Sequence, residues 1–324
     1  MNTSSDPRLR TSMSLVLLAC IPGLLTLLWL HGWGLLVNLL LCASAAILCE
    51  TLLLAMRGQT LKPALGDCSA LVTAVLLACA LPPLAPWWLP VVATSVAIGI
   101  GKQAFGGVGR NLFNPAMVGY AFVLLSFPLQ MNHWPGPAPG LLDSLQQVFA
   151  GGEHIDAWAR PTLLDGLRHN RSLTIDELFA SHPGFGSIGG RGSEWANLAF
   201  LLGGLFLLQR KVISWHAPAG LLAGLFVFSL LGWNGSGSDS NGSPLLRLIP
   251  GSTMLAAFFI ATEPVSGPKN EWARLCFGLG AGLLIYLIRT WGSYPDGTAF
   301  AILLMNLMAP SLERLAQQRQ QATR

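Results

Sequence analysis

The sequence predicts an all-helical polytopic membrane protein of about ten transmembrane helices in two inverted halves of five helices each. Of its 324 residues, 52% are hydrophobic and 10% charged, whereas soluble domains average about 25% charged residues. The apolar residues form blocks that approach the ~20 residues of a membrane-spanning helix. Two of these blocks contain backbone-breaking polar residues, which membranes tolerate mainly where the backbone is buried in protein or lines a cavity.

Ten apolar blocks define the predicted crossings. They lie at roughly 13–30, 35–56, 67–84, 86–101, 112–130, 195–209, 213–232, 247–263, 273–290 and 297–312. The eighth is interrupted by Pro250-Gly251-Ser252-Thr253, and the fifth begins at Asn114-Pro115. Both are typical of broken or re-entrant helices.

The basic residues predict the orientation. With the N-terminus in the cytoplasm, thirteen of the 19 Lys and Arg residues fall inside, and four of the other six lie in one long loop, where charge has less influence. The apolar run Met13–Leu30 is long for a signal peptide and no A-x-A site follows it, so we expect an uncleaved first span and cytoplasmic termini.

The predicted organisation has four parts. A first membrane half (1–130) precedes an extracytoplasmic loop (131–194), a second membrane half (195–312) and a basic cytoplasmic tail (313–324). Five crossings per half mean that the halves enter the membrane from opposite sides, which is the condition for an inverted repeat.

A faint internal parallel accompanies this arrangement. Asn114–Met117 leading to Pro128 parallels Gly251–Met254 leading to Pro264, although chance composition can produce such a match. Broken segments in corresponding positions of two halves indicate a site near the membrane midplane.

The loop at 131–194 is predicted to be a small lobe with short helices near 141–149, 163–169 and 174–181. Thr174 followed by Glu177 predicts a capping box that begins the last of these helices. Seven acidic residues and frequent Gly and Pro set the loop apart from the apolar blocks.

Several functional classes are disfavoured by composition. The six cysteines lie in or beside apolar blocks without a CxxC pair, which predicts buried thiols and no disulfide framework. The six histidines show no tight metal-ligand spacing, so no metal site is expected. The net charge of +4 is spread in ones and twos beside the apolar blocks, which excludes a nucleic-acid patch.

Three stretches carry a resemblance to a known family. They are GKQAFGGVGRNLFNPAMVGYAFVLLSFP (101–128), STMLAAFFIATEPVSG (252–267) and YPDGTAFAILLMNLMAP (294–310). The chain resembles the family that contains the D subunit of the Rnf electron-transport complex and, more distantly, the B subunit of the sodium-pumping NADH:quinone oxidoreductase.

The resemblance implies a covalent FMN on Thr162 in the loop, through a phosphoester bond to the hydroxyl. In this family a flavin transferase attaches FMN at a pattern of the type Asp-x-x-Ser/Thr-x-Ala-Thr. Asp156 and Thr162 match its first and last positions, whereas Ala159 and Pro161 depart from it. From the residues alone, Thr162 with Asp165 reads as the N-cap of a short helix, a role that is compatible with phosphate binding at a helix N-terminus.

The resemblance also implies a second flavin, either riboflavin or FMN, within the membrane domain. The GRNxFNPA stretch of the related sodium pump contributes to a riboflavin pocket, so Asn111 and Asn114 are the candidates here. Their amides can donate to and accept from a flavin ring edge, and the alternative is helix capping. Lys102 and Arg110 are expected to mark the cytoplasmic face.

Four polar residues in the apolar blocks are candidates for an ion pathway, because ionisable groups in a membrane are usually functional. They are Glu50, Glu263, Asp296 and Asn306. Three of them lie at predicted helix ends, where solvation is easy.

The resemblance implies an electron-relay subunit that is not active alone. It would belong to a redox-driven translocase in the bacterial inner membrane that connects reduced ferredoxin and the NAD couple with Na⁺ or H⁺ movement. Its partners would be the other Rnf subunits, the flavin transferase and the lipid bilayer. Two alternatives stay open: a solute channel or transporter with a urea-transporter-like architecture and no redox cofactor, and a scaffold that docks other subunits.

Overall fold

The computed structural model describes residues 7–61, 66–132, 134, 139–151, 164, 166–167, 170, 172–181, 192–235, 242–292, 294 and 296–322. These residues form helices, turns and irregular segments, and none of the described residues is in a strand. The all-helical fold class is therefore confirmed.

The helices of the first part of the chain are α1 Pro7–His31, α2 Trp33–Met56, α3 Ser69–Ala80, α4 Trp88–Val96, α5 Pro115–Ser126, α6 Pro128–Met131, α7 Leu141–Ala150 and α8 Ile175–Ser181. Those of the second part are α9 Ser193–Gln209, α10 His216–Leu231, α11 Pro244–Leu248, α12 Thr253–Leu255, α13 Glu271–Trp291 and α14 Thr298–Ala322. Helix α4 continues as the π-helical segment Ala97–Lys102, and α12 continues as the π-helical segment Ala256–Ile260.

Four of the described helices (α1, α2, α13 and α14) are long and apolar enough to cross a membrane, and α3, α5 and α10 are shorter apolar helices. The structure thus describes an apolar helical membrane protein. The total of ten crossings, the division into four parts and the urea-transporter-like arrangement stay predictions.

Two compact units divide the chain. The first comprises Met1–Ala159 and Leu205–Val212, and the second comprises Arg160–Gly204 and Ile213–Arg324. Helices α1 to α7 therefore belong to the first unit, whereas α8 and α10 to α14 belong to the second.

In the first unit, small or polar residues of α2 pack against the segment after α3. A side chain at Gly34 would overlap the carbonyl of Pro83, and Asn38 Nδ2 donates to the carbonyl oxygen of Pro82 at 2.8 Å. Asn38 is fully buried. These contacts fix the chain where α3 ends, at a Pro-Pro pair that cannot continue a helix.

In the second unit, α10 and α13 approach each other closely through glycines four residues apart on both helices. They are Gly220 and Gly224 on α10 and Gly278 and Gly282 on α13. A Cβ at Gly220 would lie 2.5 Å from the Leu275 carbonyl oxygen. Small residues at this spacing let two backbones touch, which is the usual way that helices associate in lipid.

The predicted interruption of the eighth crossing is observed. Helix α11 ends at Leu248 and α12 begins at Thr253; we call residues 249–252 between them the break. Asn197 of α9 spans it: its Nδ2 donates to the carbonyl oxygens of Ile249 (2.7 Å) and Gly251 (2.9 Å), and its Oδ1 accepts from Met254 N at 2.9 Å. One buried amide thereby satisfies backbone groups on both sides of the break.

The capping box predicted in the loop is confirmed. Thr174 N donates to Glu177 Oε2 at 2.8 Å, and Glu177 N donates to Thr174 Oγ1 at 3.3 Å. The predicted helices at 174–181 and 141–149 correspond to α8 and α7.

Candidate functional site

The candidate flavin-bearing residue Thr162 lies outside the described residues, as do Asp156, Ala159 and Pro161. The covalent-FMN prediction and the alternative N-cap role therefore stay predictions.

The residues just after Thr162 are described in part, and they are buried. Leu164 and Leu167 are 7% and 6% exposed, and they form an apolar cluster with Leu178 of α8 and Leu246 of α11. Residues of the loop, α8 and α11 therefore share one small core, which we call the Leu164 cluster.

The Asn114 side chain has the capping role that the residues alone predict. Its Oδ1 accepts from Met117 N at 3.2 Å, and Pro115 occupies the first turn of α5. Asn111 Nδ2 donates to the carbonyl oxygen of Phe113 at 3.1 Å. The residues Asn114 and Asn111 are 1% and 5% exposed.

The segment before these asparagines turns through three glycines in left-handed conformations. Gly106, Gly107 and Gly109 have φ angles of 104°, 95° and 84°, which other residues rarely adopt. A Cβ at Gly109 would meet nothing within 4 Å. The amides of Asn111 and Asn114 are chemically suited to the edge of a flavin, because an amide side chain carries both a donor and an acceptor. Whether a flavin binds there stays a prediction.

Lys102 is buried, although sequence reasoning gave it only a topological role. Its Nζ donates to Glu50 Oε1 at 2.5 Å and to Ser69 Oγ at 2.7 Å. Gln103 Nε2 also donates to Glu50 Oε1, at 3.0 Å. The side chains of Lys102 and Glu50 are 3% and 1% exposed. We call these four residues the Lys102 cluster.

The Lys102 cluster is continued at both ends. Arg57 Nη2 donates to the carbonyl oxygen of Gln103 at 2.6 Å. At the other end, Asp67 Oδ1 accepts from Ser69 N at 2.8 Å and from Ser69 Oγ at 2.6 Å, so that Asp67 holds the first residue of α3. A chain of hydrogen bonds thus ties a buried cation to the start of a short helix.

The second unit contains a comparable arrangement around Arg289. Its Nη2 donates to Asp296 Oδ1 at 3.1 Å, and its Nη1 donates to Thr253 Oγ1 at 3.2 Å and to the carbonyl oxygen of Arg247 at 2.9 Å. The Arg289 side chain is fully buried, whereas that of Asp296 is 23% exposed. We call Arg289, Asp296, Ser252, Thr253 and Thr298 the Arg289 cluster.

The Asp296 carboxylate is well satisfied. Oδ2 accepts from Ser252 N (3.2 Å) and Oγ (2.8 Å), and Oδ1 accepts from Thr298 N (3.1 Å) and Oγ1 (2.7 Å). Asp296 lies in the loop between α13 and α14. Burial raises the pKa of this carboxyl group, but the charge of Arg289 and the bonds from Thr298 and Ser252 outweigh it and lower the pKa to about 2.

The two clusters indicate which segments correspond in the two units. In each, a buried cation contacts the hydroxyl of the first helical residue, Ser69 in one and Thr253 in the other. A left-handed residue precedes each helix start, by one residue for Cys68 (φ 62°) and by two residues for Gly251 (φ 71°). The structural counterpart of Gly251–Met254 is therefore the start of α3, not Asn114–Met117 as the sequence parallel suggested.

A stronger signal was present in the sequence and was missed. Asn114 and Pro128 in one half stand at the same separation as Asp296 and Pro310 in the other. The first polar residue of each pair caps a helix start, through Met117 N in α5 and Thr298 N in α14. The equal spacing would have predicted that Asp296 lies at a helix start, as Asn114 does. It would not have predicted the contact of Asp296 with Arg289.

Glu263 and Asn306, two of the four ion-pathway candidates, contact the same residue. Glu263 Oε2 accepts from Ser266 N at 2.7 Å and also from Ser266 Oγ. Asn306 Nδ2 donates to the Ser266 carbonyl oxygen at 3.2 Å. Glu50 and Asp296, in contrast, belong to the Lys102 and Arg289 clusters.

All six cysteines are free thiols; Cys20 and Cys42 are buried, whereas Cys49, Cys68, Cys79 and Cys276 are partly buried. Within the described part of the chain, no group of three or more His, Cys, Asp or Glu residues could hold a metal ion.

The comparisons with known proteins agree over nearly the whole chain. The model of the NQR2, RnfD, RnfE family matches residues 2–322. A protein of Pseudomonas aeruginosa (strain UCBPP-PA14), named as the D subunit of the ion-translocating oxidoreductase complex, is 60% identical over 303 residues, which is 93% of this chain and 88% of that protein. Proteins with the same name are 47% identical in Alcanivorax borkumensis (95% and 91% covered) and 45% identical in Cellvibrio japonicus (94% and 89% covered).

Proposed function

Because the chain belongs to the NQR2, RnfD, RnfE family, we propose that this Rnf-type membrane subunit carries covalent FMN on Thr162 and relays electrons in an ion-translocating ferredoxin:NAD oxidoreductase complex. The observation that carries the proposal is the similarity, across 93% of the chain, to proteins named as part of such a complex. The spacing of Asp156 and Thr162, which matches the ends of the attachment pattern, supports the site.

The proposed placement follows from the basic residues. The termini would lie in the cytoplasm, and loop 131–194 would lie on the periplasmic side of the bacterial inner membrane. Partners would be the other subunits of the complex and a flavin transferase. A solute channel is the weaker alternative, because the relatives are named as parts of an oxidoreductase complex.

Flavin, when bound, supplies the electron transfer, while the protein contributes binding, orientation and electrostatics. Asn111 and Asn114 would hold a second flavin, riboflavin or FMN, at the start of α5. Their burial at 5% and 1% exposure excludes water from the amides, which strengthens a hydrogen bond to a ring edge.

The Lys102 and Arg289 clusters would keep the interrupted helix starts rigid in the bilayer. Lipid offers no partner to free backbone groups, so a helix that begins within the membrane needs fixed polar contacts. Ser69 and Thr253 receive those contacts from Lys102 and Arg289. A rigid frame keeps bound cofactors at fixed separations.

In-gel fluorescence of the full-length protein, co-expressed with its flavin transferase, tests the site. We expect a fluorescent band for the wild type and a dark band for Thr162→Ala. Thr174→Ala is the matched control, because Thr174 lies in the same loop and only caps α8; its band should stay fluorescent.

Each outcome has a defined meaning. A dark wild-type band with active transferase would refute the covalent flavin and favour the channel or the scaffold. A band that stays fluorescent in Thr162→Ala would refute the residue assignment.

A further inference from the structure

The chain just after Thr162 is packed onto the residues that lead into the break. Leu164 and Leu167 contact the same apolar cluster as Leu246 of α11, and Leu246 lies three residues before the break begins. A loop segment and α11 are therefore joined by buried leucines on one side of the break.

Gly251 is the point where this segment and the Arg289 cluster meet. A Cβ at Gly251 would lie 2.9 Å from Arg289 Nη2, 3.0 Å from Asp296 Oδ2 and 3.1 Å from Leu164 Cδ1. The Leu164 methyl group and the Arg289 guanidinium are thus within about 6 Å of each other.

The backbone at Gly251 also requires glycine. Its φ angle is 71°, a conformation that costs other residues of order 1 kcal/mol. Its backbone is held from outside the break as well, because Asn197 Nδ2 donates to its carbonyl oxygen at 2.9 Å. The surface against which Leu164 packs is therefore fixed by hydrogen bonds and an ion pair.

We propose that Leu164 is a positioning residue for the flavin, because its packing on Gly251 beside the Arg289–Asp296 ion pair fixes the chain two residues after the attachment point. This inference rests on the proposed function, in which Thr162 carries FMN. Two residues of extended chain span at most about 7 Å, so a fixed Leu164 restricts the attachment point to a small region. Small displacements of a reacting group change rates strongly, which gives such an anchor a functional consequence.

The test measures exposure of the attached flavin in the assembled complex with its full-length chain. Iodide quenching of flavin fluorescence reports how freely the covalently held ring meets solvent. We expect Leu164→Ala to raise the quenching constant at least about twofold, because removing buried methyl groups favours local opening of the segment. Leu164→Met, which keeps the volume, should behave as the wild type.

The matched control is Leu225→Ala, which removes the same atoms from a fully buried leucine of α10 outside the Leu164 cluster. Its quenching constant should equal that of the wild type. An equal rise in this control would overturn the inference, since general loosening would then explain the effect.

A second variant keeps the inference testable if Leu164→Ala does not assemble. Leu178→Ala removes the packing from the α8 side of the same cluster, and we expect a rise in quenching there too. A bright band whose quenching is unchanged in these variants would overturn the positioning role and leave the proposed function intact. A dark wild-type band would instead refute the proposed function itself.

Discussion

The ion pair of the first unit is enclosed among helices, whereas that of the second joins a helix to a loop. Lys102 and Glu50 are 3% and 1% exposed, and the carboxylate comes from within the apolar helix α2. Arg289 is as deeply buried, but Asp296 is 23% exposed and lies before the start of α14. The two units have a similar helix start and each pairs a buried cation with a carboxylate. The carboxylate is buried in the first unit and partly exposed in the second.

The two pairs also differ in what they leave unsatisfied among the described residues. Glu50 uses one oxygen for Lys102 and Gln103, and its Oε2 has no hydrogen-bond partner. Asp296 accepts four hydrogen bonds besides the ion pair. In this cluster, the buried atom without a hydrogen-bond partner is Arg289 Nε. An unsatisfied buried carboxylate oxygen is costly, so the first unit depends more strongly on its counter-charge.

The largest effect is expected from removing that counter-charge. Lys102→Met leaves Glu50 inside the helices without its counter-charge, with Gln103 as its remaining hydrogen-bond donor, and breaking a buried pair in this way costs about 3–5 kcal/mol. The midpoint of thermal unfolding of the purified protein should fall sharply. The double variant Lys102→Met with Glu50→Leu should recover most of the loss, because no lone charge is left. If the double variant were no more stable than the single one, the charge would not be the cause.

A smaller loss is expected for Asp296→Asn in the second unit. The substitution removes the charge and keeps one acceptor oxygen, which can serve either Ser252 or Thr298 but not both, because they donate to different oxygens of Asp296. Because the Asp296 side chain is partly exposed, water screens the Arg289 charge that remains, and we expect a loss of about 1–3 kcal/mol. The same unfolding assay compares it with Lys102→Met. A larger loss here than for Lys102→Met would reverse the ranking of the two units.

The pH dependence of the Arg289 cluster sharpens the contrast further. The pKa of Asp296 is lowered from its ordinary 3.8 to about 2, so the stability from this carboxylate is fully present above its unfolded pKa. That stability is lost as the pH falls from about 4 through 2. The difference in stability between the wild type and Asp296→Asn should therefore be constant between about pH 5 and 9, read from unfolding midpoints. A slope within that range would show that Asp296 is not held ionised.

The smallest effect is expected at the N-cap of α5. Asn114→Ala removes the bond to Met117 N and should cost about 1 kcal/mol. Asn114→Ser restores a capping side chain, so its stability should return. If Asn114 also binds the second flavin, the content of non-covalent flavin, measured after extraction, should stay low in both variants. Full flavin content in Asn114→Ser would show that Asn114 caps α5 and does not bind the flavin.

The sequence predicted the helical class and the interrupted crossing because apolar blocks and the Pro250-Gly251 pair are local signals. It also predicted the capping box at Thr174 and the cap at Asn114 from short-range spacing. It could not predict the Lys102 cluster, since Glu50 and Lys102 are 52 residues apart and a lysine beside an apolar block ordinarily marks a membrane face. Only tertiary packing shows that this lysine is buried against Glu50.

The same limit applies to the second unit. The spacing that Asp296 shares with Asn114 could predict its position at a helix start. The hydrogen bonds that Arg289 and Ser252 donate to it depend on tertiary packing and could not be predicted. The Leu164 cluster has no local signal either, because single leucines in a polar loop are common. Contacts across long sequence separations therefore carry most of what the structure adds.

Mass spectrometry of the peptide that contains Thr162 tests the central claim most directly. The protein should be purified after co-expression with the flavin transferase, and Thr162→Ala should be processed in parallel. The account predicts that the wild-type peptide gains the mass of FMN less one water, with fragments that assign the addition to Thr162. An unmodified Thr162 in protein that was made with active transferase would contradict it.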